Sequence, residues 1–242
     1  MRAVVSCFFV VLLLAFAPGY AQDKIVTTAG QTQTGKILGT SGGNAQINIG
    51  AGTVGFRLSD IASVEMTVPT EMKLSENAAP DRVIALLQPL ATKFKGLPAD
   101  WVVDAMGRIA DAYAAQNKNA EAAAVYKEMA SLYPGSRYLI KANVGMAKSA
   151  FQEKKYDETL RLIKPLVEEA NKKLFPTANE ARLYSEAFLV QGQAYESKGD
   201  AALALESYLT VVTIFFQNPE TVKAAQQKAD QLRQKNPGLT VS

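Results

Sequence analysis

The residue types that usually carry chemistry are scarce in this chain. It has no histidine and a single cysteine, Cys7, among 242 residues. Zinc, copper and haem sites of the usual kinds draw on His or Cys, and Ser-His or Cys-His nucleophile pairs need the imidazole as base. Carboxylates, Lys, Tyr, Ser and Thr are what remain, and the enzyme they best suit is a two-carboxylate hydrolase with facing acids about 5 to 9 Å apart. The acidic residues are instead spread at helical surface spacing. A carboxylate-dependent hydrolase is therefore the most distant reading, and no catalytic, cofactor-binding or metal-binding residue is assigned. Gly50, Gly52 and Gly55 do spell G-x-G-x-x-G, the phosphate cradle of dinucleotide-binding turns, but that turn must open a helix. Val54, Phe56 and Leu58 alternate like a strand, so these glycines read as a hairpin turn with a bulge.

Charge argues against nucleic acid as a partner. The chain carries 26 basic and 23 acidic residues, a formal charge of +3, whereas a nucleic-acid binder concentrates basic residues on one face. Residues 1–21 carry one charge at Arg2, an apolar run over 3–17, then Pro18, Gly19, Tyr20 and Ala21. That order reads as a secretory signal peptide cut after Ala21. The competing reading, an uncleaved anchor, needs about 20 apolar residues, and the run is shorter. Val4, Val5, Ser6 and Cys7 look like a lipoprotein box, yet most of the apolar run follows Cys7, so this cysteine is expected to leave with the signal. The mature chain then forms no disulfide, has no integral span, and is expected in the periplasm or secreted.

The elements that would position any site divide the chain into a signal peptide (1–21), a small β-barrel domain (22–67), a linker (68–79), an α-solenoid (80–236) and a tail (237–242). Residues 24–66 hold five short alternating runs separated by Ala29-Gly30, Ser41-Gly42-Gly43-Asn44 and Gly50-Ala51-Gly52, which predicts five strands. So few residues bury one face most readily by closing into a five-stranded barrel. The order Thr34-Gly35-Lys36-Ile37, Ile47-Asn48-Ile49, Leu58-Ser59-Asp60-Ile61 resembles small SH3-like or Sm-like barrels, which implies peptide binding or oligomerisation.

From 101 to 219 one helical hairpin is written three times. Tyr113, Ala122 and Tyr126 correspond to Ala150, Thr159 and Ile163, and again to Tyr195, Ala204 and Tyr208. Adding Met106, Ile109, Ala110 and Pro134 in the first copy, Met146, Ala147 and Leu166 in the second, and Phe188 and Gly192 in the third, the pattern resembles the tetratricopeptide repeat (TPR). Small residues let paired helices approach while rings fill the space between pairs. The spacings of 37 and 45 residues exceed the usual 34, which predicts longer helices or a longer exit after the second pair. Residues 81–90 and 157–166 share D-x-x-x-x-L-x-x-P-L, so a half repeat is expected to open the stack, with kinks at Pro89 and Pro165. Trp101 reads as packing between this half repeat and the first full copy. Ile214, Phe215 and Phe216 read as packing under a terminal helix over 219–235 that caps the TPR-like solenoid.

The TPR resemblance implies that the first helix of each pair lines a concave groove. The outward residues there are Asp104, Arg108 and Asp111, then Lys141, Lys148, Phe151 and Gln152, then Glu186, Gln193 and Glu196. Either this charge-banded face recognises a peptide or envelope protein, or Lys141 and Lys148 simply pair with Asp104, Asp111 or Glu186. The function implied is an exported, non-catalytic protein-binding scaffold, or else a structural subunit of an outer-membrane or secretion assembly.

Overall fold

A computed structural model of the chain describes residues 22–134 and 136–240. The expected signal peptide and Cys7 lie outside the described residues. Five strands are formed: β1 (Asp23–Thr27), β2 (Thr32–Ser41), β3 (Asn44–Asn48), β4 (Thr53–Arg57) and, after a 3₁₀ turn over Leu58–Asp60, β5 (Ile61–Glu65). The β2–β3 turn places Gly42 and Gly43 at φ 56° and 76°, the double positive φ of a two-residue hairpin. Gly50 and Gly52 sit in the β3–β4 hairpin, where Ile49 N–H donates to Gly52 O at 2.9 Å, and the strand that follows leaves no helix for a phosphate.

The strands are antiparallel in the order β4-β3-β2-β1-β5, and the sheet does not close, which corrects the barrel expected from sequence. Closure is replaced by cover. Ile25, Ile37, Ala45, Ile47 and Ile61 join one apolar core with Leu87, Phe94, Leu97 and Trp101 of the helical part. Thr40 Oγ1 donates to Lys95 O at 2.9 Å, and a Cβ on Gly39 would fall 2.8 Å from Lys93 O. Asp23, 2 % exposed, accepts from Ile37 N–H at 2.9 Å and has Lys36 at 3.8 Å, so its buried carboxylate is held where β2 shifts register between Ile37 and Gly39.

The helices among the described residues are α1 (Thr70–Leu74), α2 (Pro80–Lys93), α3 (Asp100–Ala115), α4 (Asn119–Leu132), α5 (Ser136–Gln152), α6 (Tyr156–Lys172), α7 (Ala178–Lys198), α8 (Ala201–Thr213) and α9 (Pro219–Lys235). Helix α1 lies inside the stretch 68–79 read as a linker and packs on α2. The opening helix α2 is thus preceded by the single short turn of α1.

The repeat frame is visible in the backbone. Asn117, Lys154 and Gly199 take φ of 59°, 61° and 88°, at the same 37- and 45-residue spacings. The next residue closes the same turn each time: Lys118 N–H to Tyr113 O at 3.0 Å, Lys155 N–H to Ala150 O at 2.9 Å and Asp200 N–H to Tyr195 O at 2.9 Å. This left-handed break ends one helix and lets the next fold back. Ala122, Thr159 and Ala204 are fully buried, as are Ile163 and Tyr208, with Tyr126 nearly so. A Cβ on Gly192 would fall 2.5 Å from the Tyr208 ring, so the close approach expected of a small residue is real. Gly145 is a second such contact, against the Tyr126 ring. Tyr113 and Tyr195 are half-buried against the core, as a stacked TPR-like arrangement requires.

The longer spacing has a visible source. Helix α6 has 17 residues against 14 in α4, and α7 has 21. Both α2 and α6 run on through Pro89 and Pro165, each on the exposed side, where water satisfies the carbonyl that loses its donor. Trp101 meets Phe94 edge-on at 5.2 Å. Of the three apolar residues after α8, only Phe215 packs inward, against Phe188 at 5.4 Å and Tyr184 at 5.6 Å. Ile214 and Phe216 are 58 % and 61 % exposed, because the chain turns there and shows the core one residue of the three.

Candidate functional site: the concave face of the helical pairs

Helices α3, α5 and α7 lie side by side, α5 touching both others, and present one face. Positions 104, 141 and 186 are equivalent in the repeat frame, and so are 111, 148 and 193. The sign of charge alternates along the first set and the sets are offset by two turns, so neighbouring helices meet in cross-pairs. Lys141 Nζ lies 3.4 Å from Asp104 Oδ1, and Lys148 Nζ lies 2.7 Å from Glu186 Oε2. Arg182, one turn before Glu186 on α7, adds a second cation at 2.8 Å. The compensated reading of the groove is the one the geometry shows for these residues.

Arg108 has a different task. It pairs with Asp104 at 2.9 Å and donates to Met72 O at 2.9 Å and Ser75 Oγ at 3.0 Å, tying the last turn of α1 to α3. A guanidinium fits there because its fork meets several acceptors at once.

Asp111 accepts a hydrogen bond from the Tyr126 phenol of α4. Tyr208 donates to Glu196 at 2.8 Å and Tyr184 to Glu169 at 2.9 Å, so a phenol bound to a carboxylate on the preceding helix occurs three times. All three phenols are held above their ordinary 10.0, first by burial and then by the carboxylate beside each. They are packing groups and offer no proton near neutrality.

A cavity of about 370 Å³ opens on this face. It gathers four of the residues expected from sequence, Asp111, Lys141, Lys148 and Glu186, with Tyr126, Arg182, Asn218, Glu220 and Thr221. Sequence spacing could have found Arg182, which stands four residues before Glu186. Nothing in the spacing points to Asn218, Glu220 and Thr221, which arrive only because the N-terminus of α9 folds against α7. The remaining expected residues fall elsewhere. Phe151 packs on Tyr156 at 5.6 Å, Gln152 is exposed at the end of α5, Gln193 is half-buried further along α7, and Glu196 binds Tyr208 and Lys228 Nζ, the latter at 3.1 Å. Among the described residues no group of three or more His, Cys, Asp or Glu could hold a metal ion, and no helix is long and apolar enough to cross a membrane.

The sequence matches no known protein family and no curated protein. Among solved structures it is similar to MamA, from residue 41 to its end, of Desulfovibrio magneticus RS-1, with 17 % identity and a TM-score of 0.48 over 71 % of this chain and 88 % of that one. A MamA RS-1 ArsTM double mutant gives the same identity, coverage and TM-score.

Proposed function

We propose that this chain is an exported, non-catalytic scaffold that holds a peptide or envelope protein against the concave face of its TPR-like helices, and that it works in the periplasm or outside the cell. The observation that carries this reading is the cavity over α3, α5 and α7, a concave site of ligand scale whose charges are arranged in pairs. Such pairs are worth little to stability when exposed and are free to exchange one partner for a charged group on a ligand. Glu186 sits between two cations, Lys148 and Arg182, and Asp111 accepts from the Tyr126 phenol, so neither is a carboxyl placed to act as a general acid, which argues against a two-carboxylate hydrolase. Capture of partners from solubilised envelope should be specific at low salt and weaken at moderate salt. Lys148→Ala with Arg182→Ala should abolish it, and capture unchanged by both substitutions would reject the groove as the site.

A second reading, a structural subunit of an outer-membrane or secretion assembly, is favoured by one observation. Leu174 and Phe175 are 86 % and 88 % exposed, and Ile214 and Phe216 are exposed in the next loop at the same end of the helical pairs. Apolar surface of this kind is what permanent interfaces cover. A stoichiometric complex stable in moderate salt, and released by Phe175→Ser, would select this reading over the first.

A further inference from the structure

The sheet ends in two edges, β5 and β4. On β5 the pairing with β1 passes from Val26 against Ser63 to Thr27 against Ile61, so Ala62 bulges out of the ladder, one of the devices that blunt an edge. Strand β4 lacks a bulge: its register against β3 runs unbroken from Arg57 opposite Asn44 to Thr53 opposite Asn48. It holds neither Lys nor Pro, and Thr53, Val54, Gly55 and Arg57 are exposed. The element it chiefly packs against is β3.

The ladder decides which backbone groups of β4 face outward. Leu58 N–H donates to Gly43 O at 3.0 Å and Ile49 N–H to Gly52 O at 2.9 Å. The hydrogen-bonded pairs therefore keep one phase along the hairpin: Gly43 with Leu58, Ala45 with Phe56, Ile47 with Val54 and Ile49 with Gly52. Thr53, Gly55 and Arg57 fall between them and turn their N–H and C=O away from β3, a regular row of donors and acceptors along an open edge. Val54 and Phe56 stand opposite Ile47 and Ala45, on the face of the sheet that joins the apolar core.

We propose that β4 pairs antiparallel with β4 of a second copy of this chain, about a two-fold axis through Gly55, so that two sheets join into one. The occupant follows from the strand being its own complement. In the register centred on Gly55 the whole strand is used, and outward residue meets outward residue in phase. Thr53 then faces the second copy's Arg57, so the charge on the strand meets a hydroxyl and not a like charge, whereas sliding the pairing toward Arg57 would bring two guanidiniums together. Gly55 meets Gly55, where the missing side chain lets two backbones approach. Val54, 37 % exposed, meets the second copy's Phe56 in a non-hydrogen-bonded pair, in which side chains lie closest, and β-branched residues pair well with rings across a ladder. A strand pair this short buries little surface, which makes the dimer weak and reversible. The edge is separate from the groove over α3, α5 and α7, so either can fail alone.

The test is sedimentation of the purified protein from about 1 to 300 µM, where monomer should pass reversibly into dimer. As it does, the Gly55 and Arg57 amides should exchange about tenfold or more slowly, while those of Val54 and Phe56, already bound to β3, should not change. Thr53→Lys sets an ammonium opposite the second copy's Arg57 and should weaken dimerisation by about tenfold or more. Adding Arg57→Glu converts the same two contacts into ion pairs and should restore the dimer, and thermal unfolding of each variant in dilute solution checks that it is folded. Lys148→Ala in the groove should leave dimerisation unchanged. A folded chain that stays monomeric across the whole range would overturn the proposal and leave the edge to a strand of another protein. So would a dimer indifferent to Thr53→Lys, a folded double variant that does not regain it, or a dimer whose Gly55 amide stays unprotected.

Discussion

Glu196 accepts from a phenol at 2.8 Å and from Lys228 at 3.1 Å, and that one carboxylate shows how residues chosen for a groove by their spacing serve packing instead. A tyrosine that fills the gap between helices brings a hydroxyl that must find an acceptor once buried. Asp111, Glu169 and Glu196 supply it. The linkage has a definite sign. A phenol held above its ordinary 10.0 contributes stability that is whole below pH 10 and is lost as pH rises toward the folded value, because the unfolded chain ionises first. Urea midpoints should therefore fall above pH 10, and Tyr208→Phe should make that fall shallower. A midpoint flat to pH 11 would contradict the assignment. Lys154 offers a second residue-scale prediction. Its φ of 61° is the conformation that Asn117 and Gly199 take at the same repeat position, and a branched-free but Cβ-bearing residue there is strained. Lys154→Gly should stabilise by about 0.5 to 1 kcal/mol after the entropy cost of glycine is counted, read as a rise in the urea midpoint.

At the scale of elements, the turn into α7 is the best-defined helix start in the molecule. Thr177 Oγ1 accepts from Glu180 N–H at 3.3 Å while Glu180 Oε2 accepts from Thr177 N–H at 2.8 Å, a capping box. Lys173 adds a 2.6 Å bond to Glu180. The Lys173 ammonium first, and the Thr177 backbone next, hold the Glu180 carboxyl below its ordinary 4.5. A lowered folded value means stability that is present above pH 4.5 and lost as pH falls through the folded value. Glu180→Gln should flatten the acid limb of stability below pH 4.5 relative to wild type, and an unchanged acid limb would refute the role.

At the scale of the whole molecule, two apolar cores follow one another along the stack and meet at α5, which gives Ala142 to the first and Ile140, Val144 and Ala147 to the second. Helix α9 closes the second core with Ala225, Ala229 and Leu232 and carries Asn218, Glu220 and Thr221 to the rim of the groove. Leu232→Ala should cost about 2 to 4 kcal/mol and loosen that rim, so that amide exchange in α9 and at Glu220 accelerates together. Exchange that accelerates in α9 alone would show that the cap and the groove are independent.

What the sequence by itself determined is whatever depends on short-range periodicity and on residue shape. The three hairpins, the small Gly192 where Tyr208 packs, and the five strands with their glycine turns were all readable, because backbone sterics and one-sided burial impose them locally. Only the tertiary structure decided the rest. Whether the sheet closed or stayed open depended on the helices that share its apolar core, among them Leu87 of α2 and Trp101 of α3. Whether Lys141 and Lys148 stood free depended on Asp104 and Glu186, 37 and 38 residues distant, and whether Ile214 and Phe216 were buried depended on the path into α9. Those outcomes are set by how elements dock, and docking is a long-range balance of burial and pairing that no local spacing encodes.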